Sequence, residues 1–357
     1  EWIDMGGSGS VKAKFSLPHA FKPLLGYVKL RLYCNDMQVG EDYTLGAYSR
    51  AAWIPIGAGV SDTIIIPLPD IREYVFTKAV VHFQDMFFMS SFAVSKPIHL
   101  SVINSPQALR LHAESVIPSS QDEDIVKTDK LFKKQGEWLQ YKKFEQSDDI
   151  RRIVWKLFAK NKELIVRMPE MHTPYASKIL MFVSFADTLQ STVYPAYAQL
   201  MQNYYKNIVW TIYESLLDKE VLVQMGTIQH ALLAEGRQLQ AKEWISKCCW
   251  AKEGEDEYRN KLKSAGICII HSFCSPDVVA KSLESYHGMV IFVRLRSAMK
   301  YNHALNWLGK IFFTDATDPE SKLKSRWLIH PLRLLVTNNE KEIIAVLKKS
   351  ANEYTVV

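Results

Sequence analysis

The sequence predicts a multidomain chain, with an N-terminal antiparallel β-sandwich followed by an α/β domain that has a mainly parallel sheet. The chain has 357 residues, and single hydrophobic cores stop growing at roughly 250–300 residues. Its first third shows the alternation of half-buried strands, and its second half alternates between strand and helix patterns. The hydrophobic fraction of 48% and the charged fraction of 23% are those of a folded protein.

Residues 11–103 are predicted to form the sandwich. Apolar and polar residues alternate at 28–32 and again at 98–102, which is typical of strands with one wet face. The segments 63–66 and 75–83 are also strand-like, and proline and glycine residues punctuate the region. Many short strands separated by turn residues favour two antiparallel sheets over a parallel one.

Two segments are predicted to lie outside the domains. Residues 1–10 contain the run Gly-Gly-Ser-Gly-Ser, typical of a flexible or engineered linker, and we exclude them from the predicted fold. Residues 104–136 include Pro118 and the acidic run at 119–124, so we expect an exposed connection there.

Residues 171–357 are predicted to form the α/β domain. Four apolar runs have the length and continuity of strands buried on both faces: residues 179–185, 221–225, 267–273 and 289–295. Helical patterns fill the intervals, from Pro195 to about 212, from 230 to about 263, and from Ser275 until Gly288 closes the helix. From about residue 304 we expect a helical tail.

Charge and cysteine content narrow the function classes. A net charge of +6 over this length is not the concentrated field of a dedicated nucleic-acid binder, but it leaves open weak contact with anionic lipids or an acidic partner. The five cysteines give no regular disulfide framework, which favours a reducing compartment: Cys34, Cys248, Cys249, Cys268 and Cys274. No run of 18 apolar residues occurs.

The segment 137–170 is the densest in motif-like residues. Ser147 can cap a helix whose first turn carries Asp148 and Asp149, and apolar residues follow at helical spacing from Ile150 to Leu157. Residues 164–166 are predicted to form a strand.

This segment resembles the family called domain of unknown function 58, whose pattern is approximately R-E-Y-x-x-G-D-D-x-R-x-I-D-W-K-x-x-A-R-x-x-x-L-x-V-R. The matching residues are Tyr141, Asp148, Asp149, Arg151 or Arg152, Ile153, Trp155, Lys156, Ala159, Lys160, Leu164, Val166 and Arg167. Ser147 stands in place of the usual glycine, Val154 in place of a common acidic residue, and Gln140 near the usual arginine–glutamate pair. The sequence therefore looks like a divergent member.

The resemblance implies an architecture and a setting. It implies a chain with a membrane hairpin, an immunoglobulin-like sandwich, this motif and a von Willebrand factor A-like domain, in that order. Only the hairpin has no counterpart here, and the linker-like start is where we expect it to have been removed. The resemblance also implies a bacterial protein at the cytoplasmic face of the membrane, near a MoxR-type AAA+ ATPase. The expected function is a non-enzymatic scaffold or adaptor without a cofactor, which binds protein partners and no nucleic acid.

The residues of the motif leave several roles open. The doubled aspartates, Arg151, Arg152 and Trp155 can form a clasp between the two domains, which would bury the tryptophan. They can instead form a docking surface for a partner. A third hypothesis is a metal-dependent phosphoryl-acting or nuclease-like enzyme that uses Asp148, Asp149 and a distant acid such as Glu163. A fourth is nucleic-acid binding through the lysines and aromatic residues of this segment.

The von Willebrand factor A-like resemblance also predicts the state of a metal site. Members that bind Mg²⁺ carry Asp-x-Ser-x-Ser after the first strand, and these oxygens suit a small hard cation. Here Ser184, Ala186 and Thr188 occupy those positions, so the anionic ligand is lost, unless a slip of the register places Asp187 there. We therefore expect a degenerate site.

Cys268, His271 and Cys274 offer zinc-like ligands at intervals of three residues. On a strand, however, the two cysteines face one way and the histidine the other. We therefore predict that these three residues belong to the core.

Overall fold

The computed structural model describes residues 2–4, 9–17, 26–35, 37–45, 60–85, 91–109, 140–143, 154–168, 178–189, 193–218, 222–228, 238–252, 265–300, 319–350 and 352–357. Structural statements below concern these residues.

Two antiparallel sheets form the N-terminal half. The strands are β1 (Trp2–Asp4), β2 (Ser10–Leu17), β3 (Gly26–Cys34), β4 (Met37–Leu45), β5 (Val60–Pro67), β6 (Glu73–Asp85) and β7 (Ser91–Ile103). One sheet has the order β1-β2-β5 and the other β4-β3-β6-β7. The apolar side chains of both sheets share one core, in which Val28, Leu30 and Leu32 are buried against Val11 and Ile66. The predicted antiparallel strands are confirmed.

Part of the segment 1–10, which we predicted to be a linker outside the fold, forms β-structure. Trp2 and Asp4 pair with β2, and Ser10 begins that strand. Gly9 has a φ of +81°, which favours glycine, and its carbonyl accepts a hydrogen bond from the Leu68 amide at 2.7 Å. Gly9 and Ser10 therefore belong to a turn and to β2, whereas residues 6–8 of the glycine-rich run lie outside the described residues.

A five-stranded parallel sheet organises the C-terminal half. Its strands are β10 (Lys178–Val183), β11 (Leu222–Gly226), β12 (Ile267–His271), β13 (Met289–Val293) and β14 (Tyr354–Val356), in the order β11-β10-β12-β13-β14. The described helices are α1 (Trp155–Asn161), α2 (Pro195–Leu217), α3 (Gln238–Lys247), α4 (Pro276–Leu283), α5 (Pro319–Arg326) and α6 (Pro331–Lys349). Short 3₁₀ turns occupy Leu295–Met299 and Trp327–Ile329.

Both faces of this sheet are covered, as the continuous apolar runs predicted. On β10, Ile179 and Met181 pack on the side of α2, whereas Phe182 packs on the side of α4 and α6. A small separate ladder joins β8 (Gln140–Lys143) to β9 (Ile165–Met168). No described helix combines the length and the apolar character needed to cross a membrane.

Three expectations for the helical segments need correction. The helix expected to continue to about residue 263 is interrupted after Lys247, where the next segment pairs with the end of β10 through an Ala186–Ala251 bridge; residues 253–264 lie outside the described residues. The helix after Ser275 ends at Leu283, well before Gly288. The tail expected to be helical also contributes β14, which pairs in parallel with β13.

The helix expected to run from Ser147 through Leu157 is interrupted before Trp155. Val154 is not helical, with φ −87° and ψ 83°, and its amide donates to the Ile165 carbonyl at 2.9 Å. This contact holds Val154 beside the start of β9, so α1 begins one residue later. The strand predicted at 164–166 is confirmed as the beginning of β9.

Candidate functional site

The carboxyl ends of β10 and β12 are the place where this sheet would be expected to bind a ligand. The strand order reverses between these two neighbours, and open α/β sheets bind ligands in the crevice at such a switch point. Residues 184–188 follow β10, and residues 272–274 follow β12. The three positions predicted for the degenerate metal site therefore lie at this edge.

The two hydroxyl side chains at those positions, Ser184 and Thr188, make hydrogen bonds within the protein. Ser184 is buried, and its Oγ accepts from the Ala186 amide at 3.3 Å and lies 3.5 Å from the Cys274 Sγ. Thr188 Oγ1 donates to the Phe273 carbonyl at 2.7 Å. Asp187 is buried as well, and its amide donates to the Ala251 carbonyl at 2.9 Å. Within the described ranges, no three His, Cys, Asp or Glu side chains are grouped as metal ligands would be.

An aromatic cluster closes the same edge on the α2 side. The Trp250 ring lies 4.6 Å from the His271 ring, 5.6 Å from the Tyr205 ring and 5.8 Å from the Phe185 ring, measured between centroids. The Tyr205 hydroxyl donates to the Ser184 carbonyl at 2.8 Å. The segment after α3 thus fills the space beside β10, which explains why that helix stops where it does.

His271 is the titratable group inside this cluster. Its Nδ1 accepts from the Phe273 amide at 3.2 Å, and its Nε2 has no hydrogen-bond partner of good geometry among the described residues. Complete burial lowers the pKa of His271 to about 3, and the Ser184 carbonyl opposes that shift only weakly. The imidazole is therefore neutral at physiological pH.

The prediction that Cys268, His271 and Cys274 are core residues is confirmed. All three are buried, and the two cysteines pack with Phe182 and Val279 on one side of the sheet, whereas His271 contacts Tyr205 on the other. Alternation along β12 accounts for the opposite sides of Cys268 and His271, whereas Cys274 lies beyond the strand, in the turn that follows it.

A polar cluster that the sequence did not reveal joins α6 to the ends of β12 and β13. Glu340 is buried, and its Oε1 accepts from the Ser272 hydroxyl at 2.7 Å. Its Oε2 lies 2.9 Å from Arg296 Nε, as an ion pair without the alignment of a hydrogen bond. Burial raises the pKa of Glu340, and the Ser272 hydroxyl and Arg296 oppose that rise. Asn339 Nδ2 donates to the Ser272 and Cys274 carbonyls. The cluster therefore fixes the turn after β12.

A second site lies where the N-terminal half meets α2. Three side chains spaced four residues apart on this helix accept backbone N–H groups from the other half of the chain. Asn203 Oδ1 accepts from the Ile71 amide at 2.9 Å, and Asn207 Oδ1 accepts from the Gln107 amide at 2.8 Å. Thr211 Oγ1 accepts from the Leu109 amide at 2.9 Å. We call Asn203, Asn207 and Thr211 the α2 ladder.

The spacing of the ladder matches that of an extended chain. Four helical residues advance about 6 Å. Two residues of extended chain advance about 6.6 Å. The amides of Gln107 and Leu109, two residues apart, therefore meet Asn207 and Thr211 in register. The connection expected to be exposed over 104–136 accordingly begins as a segment lying along α2.

Lys206 completes this junction from the buried side of α2. Its ammonium donates to the Ile71 carbonyl at 2.6 Å and to the Ser246 carbonyl at 2.9 Å, and the side chain is fully buried. Burial lowers the pKa of Lys206 to about 8, although the nearby Cys249, Cys248 and Asp70 favour its charged form. Ser246 Oγ in turn donates to the Asn104 carbonyl at 3.0 Å. Lys206 thus connects the sandwich, α2 and α3.

A cavity of about 320 Å³ lies beside the ladder. Its walls include Ile71, Gln107, Tyr204 and Asn207, together with Lys324 from α5. The side chains of Asn203 and Asn207 in its wall already accept backbone N–H groups, so we assign the cavity no ligand.

The motif segment contributes little to that junction among the described residues. Asp148, Asp149, Arg151, Arg152 and Ile153 lie outside the described residues, and the backbones of Tyr141 and Arg167 pair with each other in the β8–β9 ladder. Val166 is buried, whereas Leu164 and Lys156 are exposed. Glu163, considered as a distant acid, lies 3.6 Å from Lys143 in an exposed ion pair.

Trp155 is 58% exposed, so it lacks the burial that a clasp would give it. Its ring meets the half-exposed ring of Phe158 edge to face, with 6.1 Å between centroids. Lys156, Lys160 and Lys162 are exposed around this pair. These observations favour the docking interpretation of the segment over the clasp.

Comparison with known proteins gives no match: no protein-family model, no curated protein and no solved structure is similar to this chain.

Proposed function

We propose that this protein is a non-enzymatic scaffold or adaptor that docks a protein partner on the exposed face of α1. The single observation that carries the proposal is the exposed Trp155–Phe158 pair. Tryptophan is strongly enriched in the binding centres of protein interfaces, and a ring left in water on a short helix is available to a partner.

The resemblance of the motif supplies the setting of this proposal. As a divergent member of the domain of unknown function 58 family, the chain would carry an immunoglobulin-like sandwich and a von Willebrand factor A-like domain. The antiparallel sheets and the parallel sheet are compatible with that architecture. The proposed partner is then a MoxR-type AAA+ ATPase, and the proposed location is the cytoplasmic face of a membrane.

The carboxyl edge of the parallel sheet also supports a scaffold. Ser184 and Thr188 bond within the protein, and Trp250 packs against the same edge. Binding of a cation between these residues would require breaking those hydrogen bonds and moving a large ring.

The charge around the aromatic pair indicates what the partner surface carries. Lys156, Lys160 and Lys162 are exposed on or next to α1, so an acidic surface complements this face. We expect the affinity to fall as ionic strength rises, because exposed charges are screened.

The test measures binding of a purified MoxR-type ATPase to the full chain by titration calorimetry. Trp155→Ala should weaken binding by about tenfold or more, as for a central aromatic contact. Leu239→Ala is the matched control, since Leu239 is 84% exposed and belongs to α3, outside the motif segment. Equal affinities of the Trp155→Ala variant and the unchanged protein would contradict the docking proposal.

A second candidate is binding of single-stranded nucleic acid by the same face. The specific observation in its favour is that exposed aromatic rings alternate with exposed lysines, as on surfaces where bases stack. This function predicts steeply salt-dependent binding of an unstructured oligonucleotide, lost in Trp155→Ala. No binding at low salt would remove this candidate and leave the protein partner.

A further inference from the structure

A second exposed surface lies at the start of α6, far along the chain from the motif. Ile329, in the 3₁₀ turn before the helix, is 83% exposed, and Leu334 and Leu335 in its first turns are 69% and 50% exposed. Leu328 is also exposed, and its carbonyl accepts from Arg333 Nη1 at 2.7 Å. This bond holds the turn against the first turn of the helix. We call Leu328, Ile329, Leu334 and Leu335 the α6 patch.

The α6 patch lies on the face of the helix that is not used for packing. Leu332 and Val336 point into the core, as does Trp327 before the helix. The opposite face would ordinarily be polar, yet it carries large aliphatic side chains in its N-terminal half. A side chain that is 83% exposed protrudes from the surface and does not line a groove. Clustered exposed aliphatic residues of this kind mark interaction surfaces, whereas single ones are common.

The sequence from α5 to the first turns of α6 carries mostly positive charges. Residues 319–335 contain four basic residues, Lys322, Lys324, Arg326 and Arg333, and one acidic residue, Glu320. Glu320 pairs with Lys324 at 2.6 Å, which leaves Lys322 and Arg326 as the cations of α5 without a carboxylate within this segment. The ring of His330, directly before α6, lies against those of Tyr194 and Tyr197. Burial lowers the pKa of His330, so this residue adds no charge at neutral pH.

We propose that the α6 patch is a peripheral membrane-contact site, which inserts its aliphatic side chains into the interface of a bilayer that contains anionic lipids. Protruding aliphatic residues flanked by Lys and Arg are what the boundary between headgroups and acyl chains binds. Lys322, Arg326 and Arg333 are complementary to the negative surface potential of such a leaflet. The site is independent of α1 and of any transmembrane anchor.

The experiment measures co-sedimentation of the full chain with vesicles of phosphatidylglycerol and phosphatidylcholine, and with vesicles of phosphatidylcholine alone. The unchanged protein should bind the anionic vesicles more tightly. Ile329→Glu should lower its partitioning by about tenfold or more, because it replaces an inserted apolar side chain with a charge. The double variant Lys322→Gln/Arg326→Gln should lower binding to the anionic vesicles by about fivefold for each charge removed.

Two controls separate this site from other surfaces. Leu239→Glu introduces the same charge at an equally exposed leucine and should bind vesicles like the unchanged protein. Trp155→Ala should also retain vesicle binding, so failure of the proposed protein-docking function would leave this result standing. Vesicle binding that Ile329→Glu leaves unaltered would overturn the proposal. So would self-association without vesicles that Ile329→Glu abolishes, because a second copy of the chain would then cover the patch.

Discussion

Helices α2 and α1 differ in which kind of side chain they bury and which they expose. On α2 a lysine is fully buried, with its ammonium between two carbonyls, whereas on α1 a tryptophan is mostly in water. Each reverses the usual preference of its residue type. Lys206 is tolerated inside because Ile71 and Ser246 supply acceptors, and it joins three parts of the chain. Trp155 has an edge-to-face ring partner in Phe158 and remains exposed, as the proposed docking surface requires.

The largest expected effect on stability comes from replacing the buried lysine of α2. Lys206→Met should lower the free energy of unfolding by about 2–3 kcal/mol, because it leaves two buried carbonyls without a donor. Chemical denaturation of the two proteins measures the difference. Lys156→Met on the exposed face of α1 is the matched control, and it should leave the midpoint nearly unchanged. Equal effects of the two substitutions would show that the buried lysine contributes little.

The free energy of unfolding should fall at acidic pH because of His271, whose ring packs on Tyr205 of α2. Its pKa is about 3 in the folded protein, below the ordinary 6.5, so between these values the unfolded chain binds more protons. The stability contributed by the neutral ring is present above pH 6.5 and is lost as the pH falls, by up to about 1.4 kcal/mol per pH unit. Denaturation curves from pH 6.5 to 4.5 should show this slope, and His271→Leu should reduce it. A variant as steep as the unchanged protein would assign the pH dependence to other groups.

A smaller effect is expected from the α2 ladder. Thr211→Val keeps the shape of the side chain but removes the acceptor of the Leu109 amide, which should cost about 1 kcal/mol. Hydrogen exchange should show faster exchange of that amide, while the amides of β12 keep their protection. Unaltered exchange at Leu109 would mean that the ladder bond does not persist in solution.

The smallest expected effect is on α1. Trp155→Ala should change the free energy of unfolding by less than about 1 kcal/mol, because an exposed ring loses little packing. Trp210→Ala on α2 is the contrasting substitution, since its ring is buried and its removal should destabilise the protein clearly more than the removal of the Trp155 ring. A large destabilisation by Trp155→Ala would restore the clasp hypothesis.

The strands and the long helix could be predicted because their signals are local. The alternation at 28–32 and the continuous run at 179–185 each determine a strand without reference to the rest of the chain. Pro195 marks the first turn of α2 for the same reason, since its missing N–H costs nothing there.

The α2 ladder and the end of α3 could not be predicted from local patterns. Asn203, Asn207 and Thr211 look like the solvated face of a helix until an extended segment about 100 residues away lies against them. The helix after residue 238 ends because Ala251 finds a partner at Ala186, and no residue at 248–250 is a helix breaker. Of the candidate site, the position of residues 184–188 at the sheet edge was predictable, whereas the hydrogen bonds that occupy their hydroxyls were not.

The hydrogen bonds of the α2 ladder, and the bond from Lys206 to the Ile71 carbonyl, join residues separated by 100 to 135 positions in the sequence. Contacts of such long range form late in folding, since the entropy of closing a long loop must be overcome first. We therefore expect the N-terminal antiparallel sheets and the C-terminal parallel sheet to form before the two halves pack against each other. That packing should also be the step most easily reversed. A protease that cuts only after the halves separate would report that opening long before the protein unfolds.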